Sequence, residues 1–250
     1  MNIYESDKLL GEYLLFHYGS AEEIQPPAPG DAALFYPARC VTECVTALPQ
    51  GARALDLGCA VGRSTFELAR ICESALGIDY TQRFIEAAQA IQRHGGLGYA
   101  RTDEGALTTP LTALAPAGVD RSRAAFEVGD AMALRDGLGA FDVVLMANLI
   151  DRLSEPLRCL ARLPALVRPG GQLIITSPCT WLEEFTPRGH WLGGYERDGV
   201  RVATLDGLRS ALDADFELVG TKAMPFLIRE HARKFQLSVA QASIWRRRAS

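Results

Sequence analysis

A glycine-rich turn beside an aspartate is the part of the sequence best suited to bind a cofactor. The run Leu55-Asp56-Leu57-Gly58-Cys59-Ala60-Val61-Gly62-Arg63 joins a short apolar segment to a helical one. Glycines at such a junction let the backbone turn sharply and pass close to a ligand. Asp56 would repel a pyrophosphate but attract the ammonium of an amino-acid-like cofactor. The middle glycine of the dinucleotide pattern G-x-G-x-x-G is also absent, so the turn favours S-adenosylmethionine over NAD.

Further polar residues follow successive predicted strands in the same way. Asp79 ends the next strand, where a carboxylate accepts hydrogen bonds from ribose hydroxyls. Asp130 is placed to bind the adenine amino group, and Asn148 to face the cleft from the acceptor side. One aspartate at a strand end is more often a cap, but four such features in order predict a cofactor site. The predicted cofactor-binding residues are Arg39, Asp56, Gly58, Cys59, Ala60, Gly62, Asp79, Tyr80, Asp130, Ala131 and Asn148.

Alternating short apolar strands and helices must position these residues. Strands are predicted at 53–57, 75–79, 125–128, 141–147 and 172–177, with two more possible at 216–222 and 242–247; helices are predicted at 5–18, 37–48, 63–71, 81–93, from 154 to before 168, and at 204–212. This alternation indicates an α/β, Rossmann-like fold with a mostly parallel seven-stranded sheet between helical layers. We expect a Pro-rich connector at 25–30 and inserted loops at 94–122 and 178–203. Residues 1–48 are predicted to form an N-terminal helical lid, and 49–250 the main domain.

Composition excludes several other classes of protein. The formal net charge of −4 gives no basis for binding nucleic acid. No apolar run reaches the roughly 20 residues of a membrane helix, and the N-terminus lacks the pattern of a signal peptide. We therefore expect a cytoplasmic protein with six reduced cysteines. Cys40 and Cys44 are spaced like metal ligands on a helix, but no second pair completes a site, so we predict core packing and no metal.

Several segments outside the turn resemble one methyltransferase family. They are Tyr4 to Gly19, Pro37-Ala38-Arg39-Cys40-Val41, Ala147 to Leu153, Ser177-Pro178 with Trp181 to Pro187, and Pro225 to Lys234. Together they are similar to the methyltransferase domain of the ovothiol biosynthesis enzyme, a class I S-adenosylmethionine-dependent 4-mercaptohistidine N-methyltransferase. The resemblance implies methylation of the side-chain-proximal imidazole nitrogen of 5-thiohistidine, giving ovothiol A. In many members an iron-dependent sulfoxide synthase precedes this domain; the chain has no room for it, so a separate protein is expected to supply the thiohistidine.

A zwitterionic acceptor needs a cation for its carboxylate and an acid for its ammonium. Arg152 is the candidate for the carboxylate, with a surface arginine as the alternative. Glu184 is the candidate for the ammonium or for a proton, and His190 for a general base. With Asn148 these two form the predicted catalytic set. The predicted substrate-binding residues are Tyr18, Asn148, Arg152, Trp181, Glu184, Phe185, Trp191 and Arg229.

Each of these assignments has a structural alternative. Trp181 and Trp191 can simply pack their loop onto the sheet, His190 can be a solvated loop residue, and Arg229 can pair within its charged cluster. Tyr18 and Arg39 on the N-terminal helices are expected to close over the methionine end of the cofactor. Two other functions remain open: methylation of another small molecule, and a non-catalytic cofactor-binding module that partners an iron-dependent enzyme.

Overall fold

The strands and helices follow one another in the order that the apolar pattern predicts. The computed structural model describes residues 6–24 and 31–249; the predicted connector 25–30 and the residues Tyr4 and Glu5 lie outside them. The strands are β1 Arg53–Leu57, β2 Ser74–Asp79, β3 Gly96–Glu104, β4 Leu107–Leu114, β5 Ala124–Val128, β6 Phe141–Ala147, β7 Val167–Ser177, β8 Tyr195–Arg197, β9 Val200–Val202, β10 Phe216–His231 and β11 Lys234–Arg247. The helices are α1 Asp7–Tyr18, α2 Ala21–Ile24, α3 Tyr36–Thr42, α4 Arg63–Ile71, α5 Gln82–His94, α6 Pro156–Leu160, α7 Leu163–Leu166 and α8 Thr204–Leu212.

Seven of these strands form the central sheet, in the order β10-β11-β7-β6-β1-β2-β5. The five strands from β7 to β5 run parallel, β11 pairs antiparallel with β7, and β10 pairs antiparallel with β11. β6 is buried along almost its whole length, as its continuous apolar run requires of a strand covered on both faces. Two apolar clusters flank the sheet, one around Phe66 and Ile85 and the other around Leu163 and Trp245. The predicted mostly parallel, seven-stranded sheet between helical layers is confirmed.

The order of the strands reverses beside β1, whose neighbours are β2 and β6. Chain connections leave this point towards opposite faces of the sheet, which opens a crevice beyond the carboxyl ends of β1 and β6. Gly58 follows β1, and Asn148 follows β6, so the sheet brings these two residues to the same crevice.

Several predicted elements are wrong in type or extent, and the single helix predicted from 154 to before 168 is two short helices, Pro156–Leu160 and Leu163–Leu166. The region 94–122 is largely a hairpin of β3 and β4 rather than a loop; Pro110 sits opposite Ala100 in a two-stranded sheet, where a missing N–H is tolerated. The insertion 178–203 contains the short hairpin of β8 and β9. The second helix ends at Thr42 rather than near residue 48.

The last two strands extend far beyond the predicted 216–222 and 242–247. β11 pairs with β7 only through Gln241–Arg246, yet β10 and β11 remain paired up to His231 and Lys234. We call the two-stranded part that projects past the sheet, residues 223–240, the hairpin arm. It packs against α1 and α3. Leu14 of α1 and Val41 of α3 belong to the main apolar core. The assignment of residues 1–48 to a separate lid stays a prediction.

Candidate active site

The turn after β1 is built from residues in left-handed backbone conformations. Gly58, Ala60 and Gly62 have φ angles of 75°, 47° and 89°. Glycine adopts this conformation freely, whereas Ala60 is strained there by roughly 1–2 kcal/mol. The amides of Gly58 and Cys59 both donate to the carbonyl of Ile78, which fixes the turn against β2.

Asp79 anchors the turn from below and faces a large cavity. Its Oδ2 accepts the amide of Ala60 at 2.9 Å, and its Oδ1 accepts the amide of Thr81 at 2.8 Å. A carboxylate has about four lone-pair sites, so those not used by the two amides remain for a ligand. Burial raises the pKa of Asp79, and the two backbone hydrogen bonds oppose this rise.

Asp56 and Gly62 lie beneath the turn rather than on the cavity wall. Asp56 is 1% exposed; its Oδ2 accepts the Thr65 hydroxyl at 2.7 Å, and its Oδ1 has no partner among the described residues. The pKa of Asp56 is raised to about 7, mainly by burial and further by nearby Asp79, while the hydrogen bond from Thr65 opposes the rise. Gly62 begins α4, and a Cβ there would lie 2.6 Å from the ring of Phe126. The structure therefore gives both residues a role in holding the turn, and their predicted contacts with the cofactor stay a prediction.

The other predicted cofactor residues on the strand ends do line the cavity. These are Gly58, Cys59, Ala60, Asp79, Tyr80, Asp130, Ala131 and Asn148. Asp130 uses Oδ1 to accept the amide of Met132 at 2.8 Å, which turns the backbone and orients the carboxylate. The cavity has a volume of about 1210 Å³ and continues past these residues towards α1 and the hairpin arm.

Asn148 lines the same cavity directly after β6. Its backbone is left-handed, with φ of 52°, and its amide donates to the carbonyl of Thr176 at 2.8 Å. Its Oδ1 accepts the hydroxyl of the fully buried Tyr36 at 2.8 Å. Since no described residue accepts from its Nδ2, this side-chain amide presents N–H donors to the cavity it lines.

Arg152, Glu184 and Phe185 also line the cavity, as predicted. Within the described chain, the hydrogen bonds of Arg152 all come from Nη1, which donates to the carbonyls of Asp151 and Thr180 at 2.9 and 3.0 Å and to the Asp151 carboxylate at 3.2 Å. The guanidinium lies over the Phe185 ring, 4.8 Å from its centroid. Nη2 and Nε are therefore left for a ligand, on a side chain that is already held in place.

Three predicted site residues of the insertion 178–203 lie outside the cavity wall. Trp181 is buried, donates through Nε1 to Thr204 at 2.8 Å, and stacks on Trp191 with ring centroids 6.5 Å apart. Trp191 donates to the carbonyl of Thr186, and His190 contacts the carbonyl of Ser154 through Nδ1. The cavity wall includes none of the three, so the tryptophans pack their loop onto the sheet and His190 is not placed as a general base.

Tyr18, Arg39 and Arg229 also support the fold from outside the cavity wall. The Tyr18 hydroxyl donates to the carbonyl of Val61 at 2.6 Å, on the cofactor turn. Arg39 pairs with Glu43 at 2.6 Å and donates to the carbonyl of Pro225 at 3.0 Å. Arg229 donates to the carbonyl of Glu23 at 3.1 Å and lies 3.5 Å from Asp103, so it ties the hairpin arm to the neighbouring elements.

Sequence reasoning missed most of the cavity wall outside the predicted cofactor residues, which we call the acceptor half. Its wall includes the following residues of α1, α3 and the hairpin arm: Lys8, Glu12, Tyr13, Phe16, His17, Tyr36, Phe226, Ile228, Glu230, Lys234 and Gln236. Many of them lie in segments that carry the family resemblance. That coincidence was the available signal, whereas the helical spacing of α1 indicates only core packing for Tyr13.

Comparison with known proteins decides the family. A family described as a methyltransferase domain matches residues 48–192, more than half of the chain. The chain belongs to this methyltransferase family. The prediction of S-adenosylmethionine as cofactor is confirmed by it.

The individual relatives of this methyltransferase are distant. A ubiquinone biosynthesis O-methyltransferase from Cereibacter sphaeroides is 27% identical over 128 residues, which are 51% of this chain and 42% of that protein. The match thus spans about two fifths of the length of this relative. The cyclase SpnF has the same fold over 98% of this chain and 97% of its own, with a TM-score of 0.57 and 18% identity. The N-methyltransferase NodS from Bradyrhizobium japonicum, solved with S-adenosylhomocysteine, covers 79% of each chain with a TM-score of 0.50 and 16% identity. At such identities these structures establish the fold alone.

The residues of this methyltransferase fit the cofactor. Asp79 keeps lone pairs free for the ribose hydroxyls, and Asp130 keeps its Oδ2 for the adenine amino group. Gly58 has no side chain to obstruct the cavity, and a Cβ there would lie 3.0 Å from Leu149. Among the described residues, no group of three or more His, Cys, Asp or Glu side chains is arranged to bind a metal, and Cys40 and Cys44 are buried in the core as predicted. The longest helix in that part of the chain has 13 residues, and none there is long and apolar enough to cross a membrane.

Proposed function

We propose that this protein transfers the methyl group of S-adenosylmethionine to the side-chain-proximal ring nitrogen of 5-thiohistidine, giving ovothiol A. The observation that carries the proposal is the composition of the acceptor half of the cavity. Aromatic walls there are combined with charged side chains of both signs. A small zwitterion with a flat ring is the kind of molecule that such a surface binds.

The aromatic wall is continuous across three elements. Phe16 on α1, Tyr36 on α3 and Phe226 on the hairpin arm contact one another, with ring centroids 4.8 to 6.1 Å apart. Phe185 also lines the cavity and carries the Arg152 guanidinium on its face. An imidazole between such rings gains apolar contact and stacking of about 0.5–1.5 kcal/mol for each aromatic pair.

Charged side chains of both signs line the same cavity as these rings. Lys8 and Glu12 approach to 3.8 Å on α1, and Lys234 and Glu230 to 2.6 Å on the hairpin arm. Burial raises the pKa of Glu12, Lys8 opposes this rise, and Glu230 adds to it. Arg152 and Glu184 supply a second cation and a second carboxylate. The amino-acid carboxylate and ammonium of the acceptor therefore both find charged partners, which is a reason to prefer a zwitterion to a neutral metabolite.

The methyl transfer itself requires no covalent bond between the protein and the substrate. When bound, the cofactor supplies a methyl carbon on a sulfonium. The lone pair of the ring nitrogen forms the new N–C bond, and the electrons of the broken C–S bond remain on sulfur, leaving S-adenosylhomocysteine. Because the ring gains a positive charge that the thiolate balances, no proton has to leave in this step. The residues contribute by aligning the ring and excluding water. Asn148 is suited to the first task, since Tyr36 and Thr176 hold it rigidly.

Two other functions are outcomes of the same test. The O-methyltransferase named above favours an acceptor with an aromatic hydroxyl, which the aromatic wall would also accommodate. A non-catalytic module would be favoured by an acceptor pocket filled with side chains, but the cavity is open. We also propose that a separate iron-dependent sulfoxide synthase supplies the thiohistidine.

The deciding experiment is a mass-spectrometric assay of the purified protein with S-adenosylmethionine and one of three acceptors: histidine, 5-thiohistidine or a catechol. We expect a product 14 mass units heavier from 5-thiohistidine alone, the difference between a methyl group and the hydrogen it formally replaces. Methylation of the catechol alone would instead support the O-methyltransferase. Cofactor binding without any product would support the non-catalytic module.

A further inference from the structure

His17 is a buried histidine on the cavity wall that neither the fold nor the proposed reaction yet explains. It lies in the last turn of α1, is 7% exposed, and lines the cavity beside Phe16. Its Nδ1 is shut off from solvent and has no hydrogen-bond partner among the described residues. No hydrogen bond joins Nε2 to a described residue either, but Nε2, unlike Nδ1, is not among the fully buried atoms. Nε2 is therefore the ring nitrogen that a ligand in the cavity can reach.

The position of the His17 ring is tightly determined. The ring stacks on Tyr13 at 6.1 Å between centroids and meets Phe16 edge-on at 5.6 Å. Its backbone carbonyl accepts Nη1 of Arg63 at 3.3 Å, at the start of the helix that follows the cofactor turn. The neighbouring Tyr18 donates to Val61 within the turn. His17 is thus held between the cofactor turn and the aromatic wall that we assign to the acceptor.

The surroundings of His17 keep its ring neutral. Burial, and to a smaller extent the cation of Arg63, lowers the pKa of His17 to about 3. The rings of Tyr13 and Tyr18 also lie beside it, and neither is a carboxylate that would favour the charged form. A neutral imidazole with one proton has one nitrogen free to accept a hydrogen bond.

We propose that Nε2 of His17 accepts the N–H of the acceptor ring and so determines which ring nitrogen receives the methyl group. The inference rests on the proposed function, since it requires an imidazole acceptor. A neutral imidazole carries its proton on one nitrogen and the reactive lone pair on the other. When His17 holds the proton on the nitrogen distal to the side chain, the lone pair is on the proximal nitrogen, which is the one methylated in ovothiol A. His17 is a positioning residue in this scheme; no proton is transferred to it.

Two substitutions separate this role from a structural one. His17→Phe keeps a ring of similar size against Tyr13 and Phe16 but removes both nitrogens. His17→Gln keeps an amide oxygen near the position of Nε2 and serves as the rescue variant. His94→Gln, on an exposed histidine at the end of α5, is the matched surface control. For each protein we would measure the melting temperature, the Kd for S-adenosylmethionine, kcat and KM for 5-thiohistidine, and the position of the methyl group by NMR.

We expect His17→Phe to melt at the same temperature as the wild type or higher, because it removes a buried polar atom that has no partner. Its kcat/KM should fall about tenfold, the equivalent of one lost hydrogen bond, and the distal methyl isomer should appear among its products. His17→Gln should restore the single proximal isomer, and cofactor affinity should stay unchanged throughout.

Two results would overturn the inference. One is a His17→Phe variant that retains wild-type kcat/KM and a single product isomer; the proposed function would then still stand. The other is a lower melting temperature with the product isomer unchanged, which would make His17 a packing residue. If the wild type itself gives no product from 5-thiohistidine, the proposed function fails first and the inference falls with it.

Discussion

Replacing Asp79 with asparagine should weaken cofactor binding while leaving the fold intact. The wild-type carboxylate accepts two backbone amides and keeps lone pairs for the cavity. A hydrogen bond to a charged acceptor contributes about 1.5–3 kcal/mol. The substitution removes the charge and converts one oxygen into an NH₂ donor, so it weakens one or both ribose contacts. A loss of about 1.5–4 kcal/mol corresponds to a rise in Kd of roughly 10- to 1000-fold.

Calorimetric titration with S-adenosylmethionine measures this effect directly. Asp136→Asn, on an exposed loop after β5, makes the same chemical change away from the cavity and is the control. The NH₂ group introduced by Asp79→Asn also faces a backbone N–H, so the melting temperature without ligand must be measured as well. Because the stabilisation of the folded state by a bound ligand grows with the logarithm of the ligand concentration divided by Kd, the melting shift produced by the cofactor should shrink in Asp79→Asn. An unchanged Kd for a folded Asp79→Asn protein would refute the assignment of Asp79 to the ribose.

Three further predictions concern the turn and the acceptor. The pKa of Asp56 in the folded protein, about 7, lies above its unfolded value, so between about pH 4 and 7 the native state retains a proton that the unfolded chain has lost, and stability falls as pH rises through this window. In urea denaturation, Asp56→Asn should therefore change the free energy of unfolding little at pH 4 and increase it above pH 7, by up to about 4 kcal/mol. An equal effect at both pH values would contradict the raised pKa. Gly62→Ala combines a strained φ of 89° with a Cβ 2.6 Å from Phe126, so the same denaturation should show a loss of about 2–4 kcal/mol. Arg152→Ala should raise the KM for 5-thiohistidine but not the Kd for the cofactor, and a normal KM in steady-state kinetics would place the carboxylate site elsewhere.

The cofactor half of the site could be predicted from the sequence because its determinants are local. β1, α4, β6 and α8 have the predicted bounds, since each has a clear apolar period and a glycine, proline or polar boundary. The parallel sheet then brings the ends of its strands together without further information. Asp56 shows the limit of this reasoning, because a residue two positions before a turn can point beneath it as readily as into the cavity.

The acceptor half could not be predicted in the same way. Among the described strands, those of the hairpin arm are hydrogen-bonded in a ladder only to each other, and its exposed polar residues with Pro225 conceal the period of a strand. Trp181 and His17 illustrate an error and an omission: an aromatic residue in a loop suggested a binding surface but is buried packing, and a histidine in an apolar helix was not singled out but borders the cavity. In each case the decisive contact comes from an element distant in the chain.

The separation of the two halves has a consequence for function in this fold. The cofactor turn and the strand ends that carry Asp79 and Asp130 depend only on the sheet, whereas the acceptor wall depends on how α1 and the hairpin arm meet above it. A protein can therefore keep the first half and change the second without rebuilding its core. This explains how one fold can include an N-methyltransferase and a cyclase. If the proposed acceptor half is correct, substitutions among His17, Glu12, Phe226 and Lys234, which line it, should alter the acceptor long before they affect the cofactor.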